Sequence, residues 1–363
     1  IRILKWNSTL ETYESEGDMV HNRDDTEPGS DAYLADKFAV HSFDNDGTVV
    51  NMVAVIRTGG GLTRVKVMVD QENFTPLVPS TLTNPAADSF PKLGWLSEYM
   101  EGGMYEKRIG YEVDMSDKYV ITSSVNDSKG VALYRRSDQK LYYLMNEEAV
   151  SGLDTSSDFV TGEQVAVHDY SATESIIVVG TPDHGSDNSE KGHARMYFIS
   201  DDDFASNKAG TISYGNGNGS INILAIKNIR NPEDYLSGDN GDELGSDVAV
   251  ASSIVNPSYI LAAIGVQKDE VISKSNAGTI KLKRINTDHP YPTSYDITNY
   301  DIQLSTDIER RRLGRRVLVT GYRTSDGLAY DIVIASHGIP EKQGGVSFWF
   351  SSKDPSASGY GMK

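Results

Sequence analysis

The chain has 363 residues, no cysteine, and 52 acidic against 34 basic side chains, for a formal net charge of −18. The missing cysteine excludes disulfides, thiolate metal sites and a cysteine nucleophile, and the negative field repels nucleic acid and anionic membrane surfaces. A hydrophobic share of 38% with 33 glycines is too apolar for general disorder and suits many short strands joined by polar turns, and no apolar run approaches the roughly 18 residues of a membrane span.

Ile1-Arg2-Ile3-Leu4-Lys5-Trp6 alternates like a strand, and residues 7–35 read as a long polar connection. One pattern then recurs five times: an apolar strand, a polar turn, a second apolar strand, a glycine loop and a third strand. The first copy runs Phe38-Ala39-Val40, the turn Asp44-Asn45-Asp46-Gly47, Met52 to Ile56, and Arg64 to Val69. The second has Gly110 to Val113, Tyr119-Val120-Ile121, and Gly130 to Tyr134. The third has Gly162 to Val167, Ile176 to Val179, Gly180-Thr181-Pro182, and Met196 to Ile199. The fourth has Leu244 to Val250, Tyr259 to Ile264, and Gly278 to Leu282. The fifth has Leu313 to Val319, Asp331 to Ala335, and Gly344 to Phe350.

Each copy predicts a small antiparallel sheet. Its middle strand is apolar throughout, as in Ile176-Ile177-Val178-Val179 and Ile260 to Ile264. Such a strand must be covered on both faces. Sheets stacked face to face around an axis achieve this and leave only short edges. The predicted fold is all-β: a single β-propeller domain over residues 1–363 with five four-stranded blades. The units lie near 37–107, 108–159, 160–242, 243–311 and 312–363, with residues 1–6 closing the ring. Residues 71–107 and 200–242 have room for divergent blades, so six or seven is the alternative; a further strand is predicted at Ile221 to Ile226.

Leu244-Gly245, Leu313-Gly314 and Gly180-Thr181-Pro182 resemble, in degenerate form, the Phe-Gly and Gly-Ala-Pro signatures of the FG-GAP repeat of integrin-type β-propellers. The resemblance touches all five copies and implies calcium in the loops before the second strands. Asp44-Asn45-Asp46-Gly47 with Asn51, and Asp326-Gly327 with Asp331, share one spacing and offer the oxygen ligands that Ca²⁺ takes. Asp44, Asp46, Asn51, Asp326 and Asp331 are therefore the candidate metal ligands. Plain Asp-Gly hairpin turns explain the same residues. A third acidic turn runs from Asp239 to Glu243.

His184 and His193 share a loop with Asp183, Asp187 and Glu190, without a spacing that fixes a zinc site. The basic cluster from Arg310 to Arg316 reads as local ion pairing, or as a subunit contact. No Gly-x-Ser-x-Gly elbow occurs, and no spacing singles out a carboxylate pair. The expectation is a non-enzymatic extracellular or surface propeller, acting in adhesion or as a structural or assembly subunit, and stabilised by calcium. Its partners would be other proteins or copies of itself. One alternative is a carbohydrate-binding, lectin-like propeller, with Trp95, Tyr99, Tyr105 and Tyr170 to stack on sugars. Another is a propeller enzyme that degrades polysaccharides through converging acids.

Overall fold

The computed structural model describes residues 2–7, 12–18, 33–45, 48–59, 62–69, 109–124, 130–138, 140–146, 159–182, 192–206, 208–214, 219–228, 236–237, 243–269, 277–287, 302–305, 312–338, 345–351, 353–356 and 361–362. Among these, one five-residue helix interrupts an otherwise all-β chain. The strands in order are β1 (Arg2–Asn7), β2 (Thr12–Asp18), β3 (Tyr33–Asn45), β4 (Thr48–Gly59), β5 (Leu62–Val69), β6 (Ile109–Met115), β7 (Tyr119–Ser124), β8 (Ala132–Arg135), β9 (Lys140–Asn146), β10 (Gln164–Asp169), β11 (Glu174–Thr181) and β12 (His193–Ser200). After helix α1 (Asp201–Ala205) come β13 (Ala209–Tyr214), β14 (Gly219–Asn228), β15 (Leu236–Ser237), β16 (Leu244–Ser252), β17 (Tyr259–Val266), β18 (Thr279–Asn286), β19 (Ile302–Ser305), β20 (Arg316–Arg323), β21 (Ala329–His337) and β22 (Gly345–Ser351).

Consecutive strands pair antiparallel as β3-β4-β5, β6-β7-β8-β9, β10-β11-β12, β16-β17-β18-β19 and β20-β21-β22. The first strands of these units, β3, β6, β10, β16 and β20, pack in that order and line one common pocket. Sheets arranged radially, each presenting its first strand to a shared axis, form a β-propeller.

The two-faced middle strands explain why the sheets stack. In β11, Ile177 and Val179 face the preceding unit, with Ile121, Leu133 and Leu144. Ile176 and Val178 face the following unit, with Val248, Ile260 and Ile264. In β17 the alternation repeats: Ile260, Ala262 and Ile264 turn one way, and Leu261 and Ala263 pack with Val317, Val319 and Val333 on the other side. Each of the larger aliphatic side chains buried in this way contributes about 1.5–3 kcal/mol. The repeat glycines sit where neighbouring sheets touch through their backbones. A Cβ on Gly180 would lie 2.4 Å from the Gly245 carbonyl oxygen, and one on Gly265 would lie 1.9 Å from that of Gly314. Gly245 and Gly314 also adopt φ of +88° and +87°, which L side chains resist.

Three expectations need correction. β1 pairs with β2 in a separate two-stranded sheet and does not complete the last unit. The seven-residue β2 supplies a nearer antiparallel partner along the whole of β1. Four strands appear in the β6–β9 and β16–β19 units, whereas the first and last have three among the described residues. The strand expected at Ile221 to Ile226 is real, within β14. It runs parallel to β9 and meets β12 at its other end, tying two units into one ten-stranded sheet, so it founds no separate blade. Finally, Leu318, Val346, Phe348 and Phe350 leave the outward face of the last sheet exposed, as Phe38 and Val40 are on β3.

Candidate functional site

The axial pocket encloses about 670 Å³. Its chemistry comes from one repeated position. Two residues beyond the glycine that opens each first strand stand Glu112, Gln164, Asp247 and Arg316, and Lys37 occupies the matching place on β3. The sheets deliver these five side chains to one polar belt. Arg316 Nη1 lies 3.1 Å from Glu112 Oε2 and 3.4 Å from Asp247 Oδ1. Lys37 Nζ also pairs with Glu112 Oε2 and stands 4.1 Å from the centre of the Tyr111 ring. With the Gln164 amide turned so that its nitrogen faces the acids, it donates to Glu112 Oε2 at 2.8 Å and to Asp247 Oδ1 at 3.2 Å.

Backbone groups hold the carboxyls in place. Val317 N–H donates to Asp247 Oδ2 at 2.7 Å, from the next sheet along. Val167 N–H donates in the same way to Asp114 Oδ2 at 2.8 Å. Each carboxyl satisfies an N–H of the neighbouring first strand, so the seam and the site share residues. Burial pushes the Asp247 carboxyl up to about 7, against the opposing pull of Arg316 and of the Val317 N–H. Burial likewise raises Asp114 to about 6, offset in part by the Val167 N–H. Both acids therefore exchange protons near neutral pH. Further along the strands, at an exposed position, His41 Nε2 meets Asp117 Oδ1 at 2.6 Å. His168 Nε2 accepts from Ser252 N–H at 2.9 Å and meets Ser252 Oγ at 2.7 Å. Burial lowers the His168 pKa, which favours a neutral ring with its proton on Nδ1.

The residues singled out in the sequence lie elsewhere. Asp44 and Asn51 fall on the paired strands β3 and β4, opposite Val49 and Ser42, and Asp46 lies outside the described residues. Asp326 is exposed in the β20–β21 hairpin, where Thr324 Oγ1 donates to its carboxylate and holds its pKa down. Asp331 is fully buried and accepts from Ser253 Oγ at 2.8 Å and Ile254 N–H at 2.9 Å. Its carboxylate anchors the turn of the adjacent sheet. Among the described residues no three His, Asp or Glu side chains are grouped to hold a metal. His193 is buried on β12, and His184 lies outside the described residues. Tyr170 packs edge-on against Phe198, at 5.7 Å between ring centres; Trp95, Tyr99 and Tyr105 fall outside the described residues. Of the basic cluster, Arg316 makes the ion pairs of the belt, and Arg310 and Arg311 lie outside the described residues. Sequence reasoning missed Glu112, Gln164 and Asp247. The signal was the offset of two from each repeat glycine, where a polar residue recurs beside an apolar one.

No protein-family model matches the chain, and no curated protein matches it; the integrin-type resemblance rests on the quoted residues alone. Solved structures do resemble it. An exo-1,5-α-L-arabinanase from a bovine ruminal metagenomic library is 8% identical, with 90% of this chain and 95% of that one covered and a TM-score of 0.37. The α-L-arabinanase of Cellvibrio cellulosa is 10% identical, covering 89% and 94%, with a TM-score of 0.36. Extracellular domains 1-2 of Drosophila Semaphorin 1b are 11% identical, covering 92% and 66%, with a TM-score of 0.39. Glycoside hydrolases recur among the structures found. They run against the expectation of a non-enzymatic adhesion or structural subunit and toward its polysaccharide-degrading alternative, but likenesses this distant carry no activity over to this chain. No helix among the described residues is long and apolar enough to cross a membrane.

Proposed function

We propose that the axial pocket cleaves glycosidic bonds, with the five units acting as five blades around it. One observation carries this reading. Glu112 and Asp247 are held by a single guanidinium nitrogen, and Asp247 is poised to give or take a proton near pH 7. Glycosides are cleaved by two such carboxyls in unequal environments, one supplying a proton and one acting as its ionised counterpart. Asp247 would protonate the departing glycosidic oxygen. Glu112, between Lys37 and Arg316, would stabilise positive charge at the sugar carbon. Phe38 lines the same pocket and is 58% exposed, an apolar face on which a sugar ring can stack.

The test is release of reducing ends from a polysaccharide panel and of nitrophenol from 4-nitrophenyl glycosides, with Asp247→Asn and Glu112→Gln alongside. The expected result is turnover by the wild type and loss of 100-fold or more in Asp247→Asn, the order of magnitude of a proton donor. Absence of turnover across the panel, or turnover undiminished in both variants, refutes it.

A further inference from the structure

We infer that the first and last sheets are each other's neighbour: the ring closes by packing the outward face of the β20–β22 sheet, at Leu318, Phe348 and Phe350, on Phe38 and Val40 of β3. The repeat sets the direction of each side chain, because successive residues of a strand alternate faces. Counted from the belt residues Lys37, Glu112, Gln164, Asp247 and Arg316, the next position is Phe38, Val113, Val165, Val248 and Val317. The second is Ala39, Asp114, Ala166, Ala249 and Leu318, and the third is Val40, Met115, Val167, Val250 and Val319. In the packed units the first and third positions face the preceding sheet. Val165 and Val167 join the cluster of β7–β9, Val248 and Val250 that of β11 and β12, and Val317 and Val319 that of β17 and β18. The second position faces the following sheet. Ala166 joins Val248 and β17, Ala249 joins β20 and β21, and Asp114 accepts the N–H of Val167 on β10.

The first and last units turn the same positions to solvent. Phe38 and Val40 hold the places that face a preceding sheet, and Leu318 the place that faces a following one; they are 58%, 60% and 52% exposed. In a ring the unit before the first is the last. The rest of the outward face is apolar as well. Leu318 stands in register with Ile334, Ile334 with Phe348, and Ile332 with Phe350, on the side opposite Val333 and Trp349, which pack on the β17–β19 sheet. At the axis the two units already meet. Lys37 Nζ and Arg316 Nη1 hold the same oxygen, Glu112 Oε2, and Phe38 and Leu318 line one pocket. Among the described residues no strand of the first sheet pairs with one of the last, so apolar side chains rather than a shared strand make this joint, and removing them from water drives it shut.

The chain has no cysteine, so a pair can be introduced without competing thiols. Val40→Cys combined with Leu318→Cys should be bridged within one chain by a bismaleimide spanning about 10 Å, the spacing of stacked sheets, with both thiols consumed at monomer mass. Phe348→Thr keeps a good strand former and should lower the midpoint of thermal unfolding by several degrees, as loss of a packed aromatic does. Leu328→Thr, in the exposed β20–β21 hairpin of the same sheet, should move it by about a degree or less. Equally small shifts in the two variants place the face in water and overturn the joint. Thiols that react singly, with no bridge within the chain, do the same. Bridges between chains, or a wild-type dimer by light scattering that becomes monomeric in Phe348→Thr, give the face to a second copy and also overturn it. None of these measurements needs a substrate, so their outcome is separate from that of the glycoside panel.

Discussion

Replacing Asp247 with Asn isolates the buried proton on which the proposed chemistry depends. In the fold, burial raises this carboxyl from 3.8 to about 7; in the unfolded chain it returns to its ordinary value. A raised folded pKa contributes stability that is fully present below the unfolded value and is lost as pH rises through the folded one. Taking 3.8 and 7 as the two limits, the wild type loses about 2–3 kcal/mol through this group between pH 5 and pH 8. Asparagine cannot titrate, and its carbonyl can still accept the Val317 N–H. Urea unfolding of wild type and Asp247→Asn at both pH values cancels the many other acids in the difference. The variant should gain about 2–3 kcal/mol on the wild type between pH 5 and pH 8. Parallel losses in the two proteins would show that Asp247 is ionised throughout and would remove its role as proton donor.

Two further outcomes follow from the way the sheets meet. Gly245→Ala forces a Cβ to within 2.5 Å of the His193 carbonyl oxygen, at φ +88°; thermal unfolding should register a loss of several kcal/mol, well above the roughly 0.5 kcal/mol typical of surface changes. Asp331→Ala strips a buried acceptor from Ser253 Oγ and Ile254 N–H and should destabilise by about 3 kcal/mol in urea unfolding, with Asp331→Asn less affected.

Much of the architecture was legible in the residues. Ile176 to Val179 and Ile260 to Ile264 are apolar at every position, which only a strand covered on both sides tolerates, and both became the middle strands of packed sheets. The glycines of Leu244-Gly245 and Leu313-Gly314 were legible as repeat markers, but not as contacts between backbones of adjacent sheets, because their partners Gly180 and Gly265 are distant in sequence. Asp-Gly turns drew attention to Asp326 and Asp331, whereas the polar belt was hidden. Glu112, Gln164, Asp247 and Arg316 differ in charge and size, so inspection one copy at a time shows four unrelated polar residues. Their relation exists only when the copies are laid over one another. Closure by Ile1 to Trp6 failed because β2 offers β1 a complete hairpin partner nearby.

Arg316 and Glu112 are separated by 204 positions along the chain yet share a hydrogen bond. The chamber they wall is incomplete until β20 is made, because its guanidinium comes from that strand. A fragment truncated before β20 could keep packed sheets while presenting two acids with no guanidinium between them. The belt would assemble all at once, when the β20 unit docks beside the earlier sheets.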